Sequence, residues 1–441
     1  MATAAPGGML ELATRERILS GAFFWLSAFY FVYCARPEEW IPGLHLLPLA
    51  KISGLFALLG LLMSLGRSKR GIRDLPKEAI YLLLMIGLLV VSALFSPIWR
   101  GGAFFRTLDF GKVLVAWILT FLCATDLKRL RRLLYIQTVS VAFISVVSVL
   151  KGRSHPRLEG AIGGMYSNPN DLAFAIVLSL PFCLAFLLGT ESLARKLAWM
   201  VAMLMMVVAL VLTASRGGFI TFVVAGTVSL WYFAVKGRRP YLIVVVGLIA
   251  AFLFSAAGGQ LAKRFLALSG EGLDTRFETS AYGSFEQRRF AINKSLEGIA
   301  HHPLLGIGVH NFPNYSGVWI EVHVAYLQIA VEGGLPVLVL YLLFFWRGFS
   351  NLRKVRRIRK NDPEIGLLVG ALHSSLIGFL VGAAFAPEAY QYFPYFTICY
   401  TAVLLAIVKE EKQGDFETER SNRTELRAQS IHGASDRVLQ A

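Results

Sequence analysis

Long apolar runs separated by short polar segments dominate the chain. Their lengths, roughly 17 to 25 residues, match what an α-helix needs to cross a bilayer. Twelve such runs fall near 18–35, 46–66, 78–96, 107–124, 132–150, 170–189, 196–214, 217–235, 240–257, 323–346, 364–384 and 390–408. The second and fourth are the least regular, because Lys51 in one and Asp109 and Lys112 in the other put charge inside the run. The pattern predicts an all-α polytopic membrane protein of about 12 transmembrane helices, with residues 1–408 forming a single transmembrane domain. One long polar stretch, 258–322, breaks the rhythm between the ninth and tenth runs. Within it Phe290, Ile292, Leu296 and Ile299 recur at helical spacing, with Asn293, Lys294 and Glu297 on other faces, which predicts an amphipathic helix inside the loop. From 409 onward apolar periodicity stops, and 409–441 reads as a disordered cytoplasmic tail.

The short loops orient this array. Arg67, Lys69, Arg70, Arg73 and Lys77 fill one loop, and Lys128, Arg129, Arg131 and Arg132 fill the next on the same side. Lys236, Arg238 and Arg239 continue the series, followed by the basic stretch from Arg347 to Lys360. Under the positive-inside rule these loops are cytoplasmic. An even number of spans then puts both termini in the cytoplasm and the 258–322 loop outside, in the periplasm or its equivalent, as expected of a multi-pass protein of the cytoplasmic membrane. The net charge of +16 is thus largely an orientation signal. A nucleic-acid partner is disfavoured, since the cations are divided among loops separated by bilayer-length runs. With 56% hydrophobic and 16% charged residues, and a mean hydropathy of +0.58, the chain is too apolar for an ordinary water-soluble domain. Cys34, Cys123, Cys183 and Cys399 lie in or at the ends of apolar runs without paired spacing, so neither a disulfide framework nor a zinc site is indicated. The first apolar run is as long as a full span and reads as a retained helix rather than a cleaved signal peptide.

Candidate chemistry lies at the outer ends of the spans. Arg216, in Thr213-Ala-Ser-Arg216-Gly217-Gly218, occupies the tight turn between the seventh and eighth runs. A lone arginine there can simply snorkel to the headgroups. The two glycines after it favour an anion site made of a guanidinium and backbone amides at a helix N-terminus. Arg288 and Arg289 open the expected amphipathic helix; their planar forks suit phosphate oxygens. The stretch His302-Pro303-Leu-Leu-Gly306-Ile-Gly308 then closes that helix in a tight turn. His323 opens the tenth run, where its imidazole can orient or deprotonate a hydroxyl. In Asn168-Pro169-Asn170-Asp171, Asn170 reads as the helix N-cap, and an exposed amide there could also hold a sugar. Lys151, Arg153, His155 and Arg157 run against the inside bias on an outer loop. Tyr315, Trp319, Tyr390 and Tyr392 suit either a glycan path or an interfacial aromatic belt. The sequence carries no phosphate-loop motif, no His-Glu-x-x-His helix and no metal-binding carboxylate cluster, so neither a metal nor another cofactor is expected.

Taken in order, Asn168-Pro-Asn170, Ser215-Arg216-Gly217, the Arg288 helix leading to His302-Pro303-Leu-Leu-Gly306-Ile-Gly308, and His323 with Glu332-Gly-Gly resemble the O-antigen ligase and O-antigen polymerase superfamily of bacterial envelope glycosyltransferases. The resemblance spans roughly residues 160 to 345. One departure is Ile292, where the family often has a tryptophan four residues after the arginine. The resemblance implies a donor glycan carried on undecaprenyl diphosphate and transferred outside the membrane to a lipid, protein or glycan acceptor. It also implies that Arg216 and Arg288 engage the diphosphate and that His323 lies beside the reacting centre. Arg288 fits the family position better than the adjacent Arg289, which is kept with Asn168, Asn170 and Gly217 as a candidate substrate-binding residue. A donor already activated as a lipid diphosphate requires no nucleotide. Ligase and polymerase are not separated by these residues, and two further readings stay open. One is a transporter or flippase of lipid-linked sugars; the other is a structural scaffold of an envelope assembly.

Overall fold

The computed structural model describes residues 6–64, 70–151, 158, 166, 168–248, 251 and 275–414. Every regular element among them is helical. In chain order the helices are α1 (Pro6–Ala35), α2 (Pro37–Trp40), α3 (Leu49–Ser64), α4 (Lys77–Leu94), α5 (Arg100–Cys123), α6 (Leu127–Lys151), α7 (Pro169–Gly189), α8 (Leu193–Thr213) and α9 (Arg216–Leu230), whose last turn widens to a π-helix over Trp231–Val235. After a break come α10 (Thr275–His301), α11 (Phe312–Ser316), α12 (Ala325–Gly333), α13 (Leu335–Ile358), α14 (Pro363–Gly382) and α15 (Tyr392–Gly414).

Eight of these helices are long and apolar enough to cross a membrane: α4, α6, α7, α8, α9 with its π-turn, α13, α14 and α15. Leu19–Ala35 and α3 are shorter apolar helices. The expected span 107–124 lies within α5, a 24-residue helix that carries Arg100, Arg106, Asp109 and Lys112. The expected span 240–257 is described over 240–248, helical from 241, and at 251; the segments 258–274 and 415–441 lie outside the described residues.

Two sequence boundaries move. The 409 boundary falls inside α15, which continues to Gly414. Its polar last turns are held by ion pairs, Arg70 Nε to Glu410 Oε1 at 2.5 Å and Arg359 to Glu411 at 3.2 Å. Arg70 also donates to the carbonyls of Phe121 and Ala124 at the end of α5. The second change matters more. The run 323–346, expected as one span, is two helices, α12 and α13, broken at Gly334. Gly334 has φ +84°, a conformation that L side chains rarely adopt, and Pro336 in the first turn of α13 cannot extend a helix from the preceding segment.

Breaking a helix exposes polar backbone, which must be paired where water is scarce. The segment after α10 does this pairing. Ile307 and Gly308 donate their amides to the carbonyls of Val331 and Glu332, both at 2.9 Å, and Leu335 donates to Pro303 at 2.8 Å. Ser92 of α4 adds a bond to the Glu332 carbonyl at 2.9 Å. Ser96 holds the Ile307 carbonyl at 2.5 Å, and Asn311 reaches that same carbonyl and Ser96, each at 2.9 Å. The His302–Gly308 motif is therefore a docked strap across the helix break rather than a free turn.

Small residues bring the main helices close. Gly378 of α14 faces Ala225 of α9, and Gly382 faces Phe174 and Thr221, with no room for a side chain at either glycine. Gly218 of α9 likewise abuts Ala173 of α7, where an added Cβ would come within 2.6 Å. Such close approach favours helix association in lipid, where apolar burial gives little net drive.

Two glycines separate conformation from packing. At Gly306, φ +65°, an added Cβ would meet the Glu332 backbone at 2.5 Å; at Gly317, φ +72°, it would meet nothing. Gly317→Ala is expected to cost about 1 kcal/mol, the left-handed penalty alone, and Gly306→Ala at least about 2 kcal/mol more. Unfolding midpoints of the purified variants in detergent measure the difference, and equal losses would mean that the strap is not tightly seated.

Candidate functional site

The N-terminal turns of α7 and α9 meet through their caps. Asn168, not Asn170, caps α7: its Oδ1 accepts the Asn170 amide at 2.9 Å, and Pro169 takes the first helical position, where a missing N–H costs nothing. That frees the Asn170 side chain from capping, and its Oδ1 accepts a hydrogen bond from Ser215 Oγ at 2.7 Å. Ser215 in turn caps α9, accepting from the Gly218 amide at 3.1 Å. The Gly218 amide is thus already used, contrary to the expectation of bare amides after Arg216. Gly217 instead packs against Phe385, whose Cβ would lie 3.1 Å from an added Cβ. Arg216 is left half-buried as the first residue of α9, at the mouth between α7 and α9.

Arg288 comes from α10. The apolar face of this helix is left outward, with Phe290, Ile292 and Leu296 38%, 37% and 53% exposed. Ala291, Ser295 and Gly298 are turned inward, with Gly298 against Val331 of α12. Small residues at this spacing let α10 sit close on the broken helix. Arg288 lies one turn before Ala291 on that inward face and is half-buried, and its Nε is buried with no hydrogen-bond acceptor among the described residues. Arg289 points the other way, 67% exposed, with Glu286 at 3.9 Å.

The three charged candidates converge electrostatically. Burial, reinforced by the nearby Arg216 charge, pulls the Arg288 pKa below its ordinary value. His323 sits just ahead of α12, half-buried. Burial, and then the Arg288 charge, lower its pKa from the ordinary 6.5. Arg288 thus lies in the field of Arg216 and His323 in the field of Arg288, an arrangement suited to an anion. Among the described residues no group of three or more His, Cys, Asp or Glu side chains could hold a metal ion.

Residues 201–342 match the family model described as O-antigen ligase. Over these residues, about a third of its length, the chain is similar to O-antigen ligases. The matched segment contains Arg216, Arg288, His323 and the helix break. No curated protein matches the chain. Among solved structures, a chain from a peptidoglycan synthase complex that coordinates polymerization and crosslinking is similar, at 14% identity and a TM-score of 0.42. The match covers 76% of this chain and 97% of that one.

Other polar groups around the candidate site have no clear signature in the sequence. The carboxyl groups of Asp171 and Glu388 meet within hydrogen-bonding reach, and burial followed by the Asp171 charge pushes the Glu388 pKa well above the usual carboxylate range. Glu388 belongs to the 383–391 turn, which Ala383 and Ala389 tie to α12 through Ala325 and Gln328. The only hints in the sequence are an acid directly after Asn170 and another in the outer loop Ala386-Pro-Glu388. Beside these groups, two adjoining cavities of about 330 and about 170 Å³ share Arg106 and His310. Trp99, Trp319 and Glu321 line the larger, and Tyr390 and Tyr392 the smaller. Glu321, which feels the Arg106 charge, stands two residues before His323 in the chain.

The sign of the His323 shift gives a test. Burial and Arg288 both oppose the imidazolium, so the His323 pKa is lowered from its ordinary value. In a histidine-labelled NMR titration assigned with His323→Gln, the midpoint should lie on the acid side of 6.5. It should move upward in Arg288→Gln, and no movement would separate the two side chains.

Proposed function

We propose that the protein transfers a glycan from undecaprenyl diphosphate to an acceptor hydroxyl at the outer face of the cytoplasmic membrane, as an O-antigen ligase does. The observation that carries this reading is the Arg288 Nε, buried with no acceptor among the described residues, in the field of Arg216 and beside the His323 imidazole. The similarity of residues 201–342 to the O-antigen ligase family supports it.

The acceptor oxygen attacks the anomeric carbon while the bond from that carbon to the diphosphate oxygen breaks. Negative charge grows on the leaving diphosphate, and Arg216 and Arg288, already held in place, stabilise it more than the bound donor. The acceptor proton passes to His323 Nδ1 or Nε2 or to water. The diphosphate is a good leaving group, so His323 acts mainly by orienting the hydroxyl. One in-line displacement inverts the anomeric configuration. The acceptor approaches along the groove of Trp99, Trp319, Arg106 and Glu321, whose aromatic faces and polar edges suit a saccharide. A polymerase differs only in the acceptor, which would be a second lipid-linked glycan.

The test is transfer by purified protein in detergent from an undecaprenyl-diphosphate oligosaccharide, without nucleotide or added metal, offering glycolipid and lipid-linked glycan acceptors separately. Arg216→Ala and Arg288→Ala should each lower kcat/KM by about 10²–10³. His323→Ala should lower it by at least about 10². Trp319→Ala should raise the acceptor KM and leave the donor KM unchanged. Full transfer in all three site variants would place the chemistry elsewhere, and preferential use of the lipid-linked glycan would make the protein a polymerase.

A further inference from the structure

At the opposite end of the bundle the structure carries a second basic concavity that the transfer reaction does not use. α7 runs from Asn170 beside Arg216 to Gly189, about 30 Å away along a 21-residue helix. There a cavity of about 740 Å³ is walled by α6, the α7–α8 turn and the start of α14. Five basic side chains line it, among them Arg132, Arg195 and Arg239, against two carboxylates, Glu191 and Glu364. One carboxylate is already engaged, Glu364 with Arg131 at 2.5 Å. A second cavity of about 230 Å³ adjoins the first and shares Arg239, Pro363 and Leu367 with it. Five basic side chains and no acidic one line this cavity, including Lys236 and Arg356.

Three further features describe what fits. The side-chain oxygen of Thr190, in the wall of the larger cavity, is buried without a hydrogen-bond partner among the described residues. The first turn of the 21-residue α8, beside Arg195, has no side-chain cap at Ser192, so its amides remain available to an anion. The floor is aromatic, with Phe186 stacked on Trp199 at 5.1 Å and Tyr135 edge-on at 5.3 Å. Outward from that floor, Tyr135, Val139 and Phe143 on α6 and Leu197, Val201 and Leu204 on α8 are exposed along the helices, as acyl-chain contacts would be.

We propose that the paired cavities bind cardiolipin, an anionic phospholipid whose two phosphodiester groups occupy the two cavities on either side of Arg239. Charge complementarity selects the anion, and the apolar stripes on α6 and α8 select a lipid over a soluble phosphate. Two linked basic cavities select two phosphates over one. The site is independent of the transfer reaction, so it stands or falls separately from the glycosyltransferase reading.

The test uses purified full-length protein stripped of lipid in detergent, with native mass spectrometry and thermal unfolding as readouts. The probes are cardiolipin, phosphatidylglycerol and inorganic diphosphate. Wild type should bind cardiolipin at least about tenfold more tightly than phosphatidylglycerol and gain thermal stability from it. Replacing Arg132, Arg195 and Arg239 together with alanine should weaken cardiolipin on the order of a hundredfold. The matching lysine variant should keep most of the binding, and Lys112→Ala should keep all of it. If the triple alanine variant does not fold, Arg195→Ala on the exposed surface of α8 is read instead, with a loss of about fivefold. Equal affinity for both lipids, retained cardiolipin in the alanine variants, or equal stabilisation by inorganic diphosphate would each overturn the proposal.

Discussion

The backbone bonds that seat the 303–308 strap on the Gly334 break are the constraint from which the rest of the site follows. An interrupted helix in a water-poor setting leaves carbonyls and amides to satisfy, and here Pro303, Ile307 and Gly308 satisfy them. Because the strap follows directly on α10, seating it fixes where α10 ends, and Gly298 against Val331 fixes how closely that helix lies. Because α12 stops at the break, its other end and the segment holding His323 are fixed as well. One local interruption thus positions two candidate residues that lie 35 positions apart in the chain, Arg288 and His323.

The arrangement is electrostatically unfavourable by itself. Arg216 and Arg288 act on each other, Arg288 acts on His323, and burial opposes the charge on Arg288 and on His323. Proteins retain such like-charge groupings where a ligand of opposite sign completes them. The cap network explains how the arginine on α9 is held in place despite this: Asn168, Asn170 and Ser215 lock the first turns of α7 and α9 together. The closely packed glycines of α14 and α9 supply the packing that offsets the strain.

Much of this was legible in the chain, and the limits have physical causes. Apolar run length located the long spans, and the order of Asn168, Arg216, Arg288 and His323 pointed to one outer face. Run length alone could not reveal that 323–346 is broken, because Gly333 and Gly334 are neutral in hydropathy and the break depends on a partner about 30 residues upstream. The docked face of α10 is not marked by hydrophobicity either. Hydrophobic periodicity marks Phe290 and Leu296, whereas close docking was achieved by the small residues Ala291, Ser295 and Gly298. Asn170 was mistaken for the cap because Pro169 shifts the cap to the residue before it. The Asp171–Glu388 pair joins residues more than 200 positions apart, and no local pattern announces such a contact.

The central claim is that Arg216 and Arg288 hold one and the same diphosphate. The most direct measurement is a double-mutant cycle on undecaprenyl diphosphate binding, using wild type, Arg216→Gln, Arg288→Gln and the double variant. A shared ligand predicts that each single change weakens binding and that the double change costs less than their sum, with a coupling of about 1 kcal/mol or more. Additivity within about 0.5 kcal/mol, or binding indifferent to either arginine, would contradict the account.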